Sequence, residues 1–209
     1  MKSLRTEKQV VVDVIIFITV GLPLVLFQTL GKPVVSGFWC HDRYLSYPFK
    51  PDTIPQSLLL TVSFGIPFLV MAVTESIRAA VNSQMSMKFR TEMKSFFKAY
   101  VVFLFGMTFT CTFTDVIKLS VGRLRPHFFD VCKPDFNKIN CTADTGGERY
   151  VLDYVCTNTF VEKKWIHDAH LSFPSGHASI SIYSAAFIIF YLQMRANVNF
   201  SHLLRPVIQ

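Results

Sequence analysis

Lys118 and Arg125 stand seven residues apart, and Pro126 follows the arginine at once. On a helix that interval is nearly two turns, an offset of about 20° with a rise of roughly 10 Å, so two long basic side chains on one face can grip a single anion. Arg123 falls about 140° from Lys118 on the same wheel and is left out of the pair. Planar Arg suits two oxygens of a phosphate, and Lys adds a point charge. Pro126 disfavours helical backbone at the residue before it, so the helix is expected to finish near Arg125. Asp115, one turn before Lys118, is the expected partner that lowers the cost of a cation near lipid. Taken alone, such a pair is more often two cations snorkelling from a helix end toward water.

A second cluster is Pro174-Ser175-Gly176-His177-Ala178-Ser179, directly ahead of an apolar run. Ser175 is placed to cap a helix, and Gly176 allows close backbone approach. The free amides of a helix N-terminus attract anions such as phosphate. His177 then sits in the first turn, where an imidazole can donate a proton near neutral pH. By itself a Ser-Gly-His tripeptide is a weak signal, and an interface histidine is the commoner explanation.

The elements that must hold these clusters are membrane helices. Half the chain is apolar, with 21 Phe against 14 acidic residues. Runs at 10–30, 58–73, 99–117 and 177–194 each approach the roughly 20 residues needed to cross hydrocarbon. This predicts an all-α polytopic membrane helix bundle with four complete spans, forming one membrane-embedded domain over 1–209. Asp13 interrupts the first run and no small-residue cleavage pattern follows Leu30, so that run is expected to stay attached rather than act as a secretory signal. Pro23 and Pro67 fall inside spans as packing kinks.

Lys2, Arg5 and Lys8 precede the first run, and Arg78, Lys88, Arg90, Lys94 and Lys98 fill the link between the second and third. The positive-inside rule puts both in the cytosol, so the N-terminus is cytosolic and segments 31–57 and 118–176 face outward. The link 78–98 shows no clear periodicity; Met85, Met87 and Phe89 are assigned to the inner interface. The net charge of +7 does not point to nucleic acid, because no RNA-binding or zinc-finger spacing organises the basic residues. Cys132, Cys141 and Cys156 share the long outer loop and Cys40 lies in the first, so disulfides are open there without an assignable pairing. Asn140-Cys141-Thr142 is a glycosylation sequon on the outer side; Asn199-Phe200-Ser201 matches too but falls on the cytosolic side. The tail 201–209 reads as the start of a fifth helix.

Together the two clusters are far more specific than either alone. Lys118-Leu-Ser-Val-Gly-Arg-Leu-Arg125-Pro126 and Pro174-Ser-Gly-His177 resemble the Lys-x6-Arg-Pro and Pro-Ser-Gly-His motifs of the phosphatidic acid phosphatase type 2 superfamily. Gly122-Arg-Leu-Arg-Pro-His-Phe128, Asp130-Val-Cys132 and the stretch 47–55 are similar to the animal lipid phosphate phosphatases in particular. The resemblance implies a six-helix fold at the plasma membrane. Its outward-facing site would hydrolyse phosphatidate, lysophosphatidate, ceramide phosphate and sphingosine phosphate with no metal or other cofactor. It implies that Lys118, Arg125, Ser175 and Gly176 bind the substrate phosphate and that His177 protonates the leaving alkoxide.

A third motif of that superfamily, Ser-Arg-x5-His-x3-Asp, supplies the attacking histidine, and it is absent here. His167, His170 and His202 lie in the wrong segments to replace it, so the nucleophile is unknown and the chain is read as C-terminally truncated and weak or inactive alone. The expected partners are a phosphorylated lipid and the bilayer, with a homo-oligomer left open and nucleic acid excluded. The rival reading is a non-catalytic short form that binds phospholipid or modulates full-length subunits. A channel or transporter ranks lower, because Asp13, Glu75, Lys118 and His177 lie toward span ends rather than mid-membrane.

Overall fold

The computed structural model describes residues 2–81, 85–142 and 148–195, and the side chains among them outside 2–7, 81 and 85–92. Asn199, His202, the tail 201–209 and the side chains of Met85, Met87 and Phe89 lie outside the described residues. Among the described residues six α-helices and a two-stranded ribbon follow in the order α1 (Lys2–Leu30), β1 (Phe38–Trp39), α2 (Gln56–Val81), α3 (Met85–Val121), α4 (Phe128–Cys132), β2 (Tyr150–Val151), α5 (Lys163–Asp168) and α6 (Gly176–Arg195), with a short 3-10 turn at Arg43–Leu45.

Four of these helices are long and apolar enough to cross a membrane, over Lys8–Leu30, Gln56–Ala80, Met93–Val121 and Gly176–Arg195. They fall on the four apolar runs. None of the most apolar stretch of α1 is buried within the protein, so lipid is the solvent its Val and Ile side chains require. Pro23 and Pro67 sit inside α1 and α2 without ending them.

The link expected across 78–98 is largely helix instead. α2 continues to Val81 and α3 begins at Met85, because the segment holds no Gly or Pro and is rich in Met, Lys and Arg.

The chain forms two compact units. The first comprises Met1–Gly21, Ile54–Cys111 and Gly176–Gln209. Its core is Leu59, Met71, Phe96, Phe103, Met107, Ile180 and Tyr191. Phe103 stacks on Tyr183, whose hydroxyl donates to the Phe103 carbonyl at 2.9 Å, and Ser184 Oγ donates to the Ser63 carbonyl at 3.0 Å. These bonds satisfy polar groups that have no water to turn to. Near the Arg195 end of α6, the Glu75 carboxylate is the hub of a buried cluster. It accepts from the Tyr191 hydroxyl at 2.5 Å and faces Arg195 Nε at 3.3 Å and Arg78 Nε at 3.5 Å. An ionised residue inside a span persists only with partners of this kind.

The second unit comprises Leu22–Thr53 and Thr112–Ser175. Its core is Phe38, Leu45, Leu124, Phe128, Val131, Cys132, Val151 and Ala169. β1 and β2 pair antiparallel, Phe38 opposite Val151 and Trp39 opposite Tyr150. Two disulfides complete the pairing that spacing left open: Cys40 with Cys141 and Cys132 with Cys156. The ribbon and the first disulfide both tie segment 31–57 to segment 118–176. The two loops therefore share one side, together with the C-terminal ends of α1 and α3.

Candidate active site

α3 ends at Val121, so Arg125 is not on its face. The cause is Gly122, whose φ of +58° is the left-handed conformation that stops helices and that glycine adopts without steric cost. Its N–H donates to the Lys118 carbonyl at 3.0 Å. A Cβ there would stand 1.9 Å from the Val34 carbonyl oxygen, so glycine is required for packing as well as for φ. Beside it, Val34 N donates to the Leu119 carbonyl at 2.9 Å and Ser36 Oγ to the Val121 carbonyl at 3.2 Å. The expected helix end near Arg125 is thus corrected by four residues, because the glycine acts before the proline can.

Lys118 occupies the last turn of α3, half-buried, where the carbonyl-rich helix end favours a cation. The expected ion pair with Asp115 does not form among the described residues. That carboxylate accepts from Gln28 Nε2 at 3.1 Å instead.

Arg125 is fixed by the end of α5. Its backbone N donates to the Ala169 carbonyl at 2.8 Å, its Nε to the Asp168 carbonyl at 3.0 Å, and its Nη2 to Asp168 Oδ1 at 2.9 Å. Sequence reasoning missed Asp168, since 43 residues separate it from Arg125 and no short-range spacing signals the pair. Segment 47–55 packs on the same motif: Tyr47 N donates to the Pro126 carbonyl at 3.1 Å, and Phe49 N to Asp130 Oδ2 at 2.8 Å. The Phe49 ring meets His127 and Trp165 edge-on.

His127 is held below the ordinary histidine range, first by burial and then by the Arg125 charge, against the opposing pull of Asp168, Asp130 and Asp52. His170 is lowered mainly by burial, against its bond to the Ile166 carbonyl, and His167 adds to the lowering. A carbonyl can only accept, so His170 Nδ1, 2.9 Å from Ile166 O, carries the ring proton. Nε2 lies 2.9 Å from the Tyr154 hydroxyl, which also donates to the Ser36 carbonyl at 3.1 Å. Burial pushes Tyr154 up to about 12, which keeps that phenol protonated. His167 donates from Nε2 to the Gly31 carbonyl at 3.1 Å. Both histidines hold loops.

Ser175 immediately precedes α6, the position expected of a cap, and belongs to the second unit. Gly176 and His177 open α6 and belong to the first. His177 Nε2 lies 2.9 Å from the Ile54 carbonyl, so this nitrogen bears a proton. Asn140 is exposed, and its Oδ1 accepts from Thr142 N at 3.1 Å. No group of His, Cys, Asp and Glu among the described residues has the arrangement of a metal site.

These features define a polytopic membrane protein whose disulfide-bonded loop unit holds an ordered arginine and a helix-terminal lysine. The PAP2 superfamily model matches residues 99–205. Phospholipid phosphatase 1 of Mus musculus is 37% identical over 202 residues, covering 96% of this chain and 69% of the relative. Phospholipid phosphatase 2 of Homo sapiens is 32% identical over 202 residues, covering 96% and 67%. No solved structure gives a significant match. The chain belongs to the PAP2 superfamily and, within it, to the phospholipid phosphatase family.

Proposed function

We propose that the protein hydrolyses lipid phosphomonoesters, namely phosphatidate, lysophosphatidate, ceramide phosphate and sphingosine phosphate, at the outer face of the plasma membrane, with its N-terminus in the cytosol. The observation that carries this reading is the Arg125 guanidinium ordered by Asp168, within a chain of the phospholipid phosphatase family. Two disulfides on the loop side fit an oxidising exterior, where Asn140 would be glycosylated.

In this reading Lys118 and Arg125 hold non-bridging oxygens of the phosphoryl group, and Ser175 and the amides at Gly176 add donors as charge develops in the transition state. His177 gives a proton to the departing lipid alkoxide, leaving a neutral alcohol, as the phosphoryl group passes to the attacking histidine that the third motif of the superfamily supplies. A positioned acid of this type contributes roughly 10²–10⁴-fold.

The test is phosphate release from phosphatidate in mixed micelles by the purified protein and by Lys118→Ala, Arg125→Ala and His177→Ala. Release by the parent protein is expected to be weak, because the attacking histidine of the third motif is absent from its sequence, and to fall at least about a hundredfold in each variant. Release unchanged in all three variants would overturn the reading.

A further inference from the structure

We infer that Asp168 is a positioning residue for phosphate recognition, acting through Arg125; this rests on the phosphate-binding reading of Arg125. A guanidinium offers five N–H donors in a rigid planar fork. Asp168 takes its side-on edge, with the main-chain carbonyl on Nε at 3.0 Å and Oδ1 on Nη2 at 2.9 Å. That leaves three donors, two on Nη1 and one on Nη2, of which the Nη2 donor and the Nη1 donor facing it form the end-on edge suited to two oxygens of one phosphate. A free arginine side chain samples many rotamers, whereas this one is turned by two bonds to a single residue.

Asp168 is itself well held. It closes α5, and its carbonyl also accepts from Leu171 N at 3.0 Å. The next residue, Ala169, is fully buried and its carbonyl anchors the Arg125 backbone. His170 is fixed between the Ile166 carbonyl and the Tyr154 hydroxyl. The Asp168 and Arg125 side chains keep 34% and 24% of their surface exposed, so the pair is accessible to a headgroup while remaining ordered.

The carboxylate has two opposed effects on an anion. Its charge weakens attraction to phosphate, and its oxygen aims the guanidinium. Asp168→Asn and Asp168→Ala remove the same charge, but only Asn keeps an acceptor at Oδ1, so the difference between them isolates the aiming.

The experiment is calorimetric titration of dioctanoyl phosphatidate into the full chain in detergent, with each variant's melting temperature checked first. Asp168→Asn is expected to bind at least as tightly as the parent, and Asp168→Ala about tenfold more weakly than Asp168→Asn. In an Arg125→Ala background that gap should vanish. A gap below about twofold, or one that persists without Arg125, overturns the inference while leaving the phosphate site standing. If Arg125→Ala alone leaves binding unchanged, the phosphate-binding reading falls, and the inference with it.

Discussion

Replacing Gly122 by alanine strikes the turn on which the Lys118 and Arg125 placements depend. Two costs combine. An L-residue held at φ +58° loses roughly 1–2 kcal/mol. The added methyl would also stand 1.9 Å from the Val34 oxygen and 2.9 Å from its carbonyl carbon, and relieving such overpacking typically costs about 1–3 kcal/mol. The neighbour is backbone, so a rotamer change cannot absorb the clash. A loss of about 2–5 kcal/mol follows, which for a chain of this length corresponds to a fall of roughly 10 °C in melting temperature. The assay is thermal unfolding in detergent, with Gly65→Ala as the control: nothing lies within 4 Å of a Cβ there, and Gly65 is inside α2. The control should melt at or slightly above the parent, since alanine is the better helix former. If Gly122→Ala melts within about 2 °C of the parent, the strained turn does not hold the second unit as described.

Three further outcomes are expected from the same unfolding assay. Replacing Cys132 and Cys156 together by serine should cost about 3 kcal/mol, from the 24-residue separation of the bridge, and an unchanged transition would argue that it does not form. Glu75→Ala leaves two guanidiniums facing an emptied buried position and should cost about 3–5 kcal/mol, against about 1 kcal/mol for Tyr191→Phe; equal effects would show that the carboxylate is not the hub. Because the fold holds His127 and His170 below their ordinary value of 6.5, the unfolded chain binds more protons just under that pH, so stability should fall as pH drops below about 6.5. A His127→Gln/His170→Gln variant should show a shallower slope between pH 7 and 5, and an identical slope would contradict the burial argument.

The spans were legible because lipid leaves few alternatives: a run of some 20 apolar residues must satisfy its own backbone as helix. Hydropathy does not mark helix ends, however. At 78–98 the apolar run stopped, yet α2 reaches Val81 and α3 already begins at Met85. The Lys118 and Arg125 motif was visible as a spacing, yet its helical geometry failed at Gly122, where a contact with Val34 fixes the conformation. Asp168, the disulfide partners and the Tyr154 to His170 bond come from segments tens of residues apart, and only the packing of the loop unit brings them together. The placement of Ser175 and His177 at the opening of α6 needed only local information, which the Ser-Gly-His order supplied.

The most direct test of the phosphate grip compares two lipids that differ only in the phosphate. Dioctanoyl phosphatidate and dioctanoylglycerol are titrated into the parent protein, Lys118→Ala, Arg125→Ala and, as a neighbouring cation outside the grip, Arg123→Ala. Phosphatidate affinity should fall about tenfold or more in the first two variants and stay within about twofold in the third, with dioctanoylglycerol unaffected throughout. Equal phosphatidate affinity in all four proteins, or equal losses for both lipids, would contradict it.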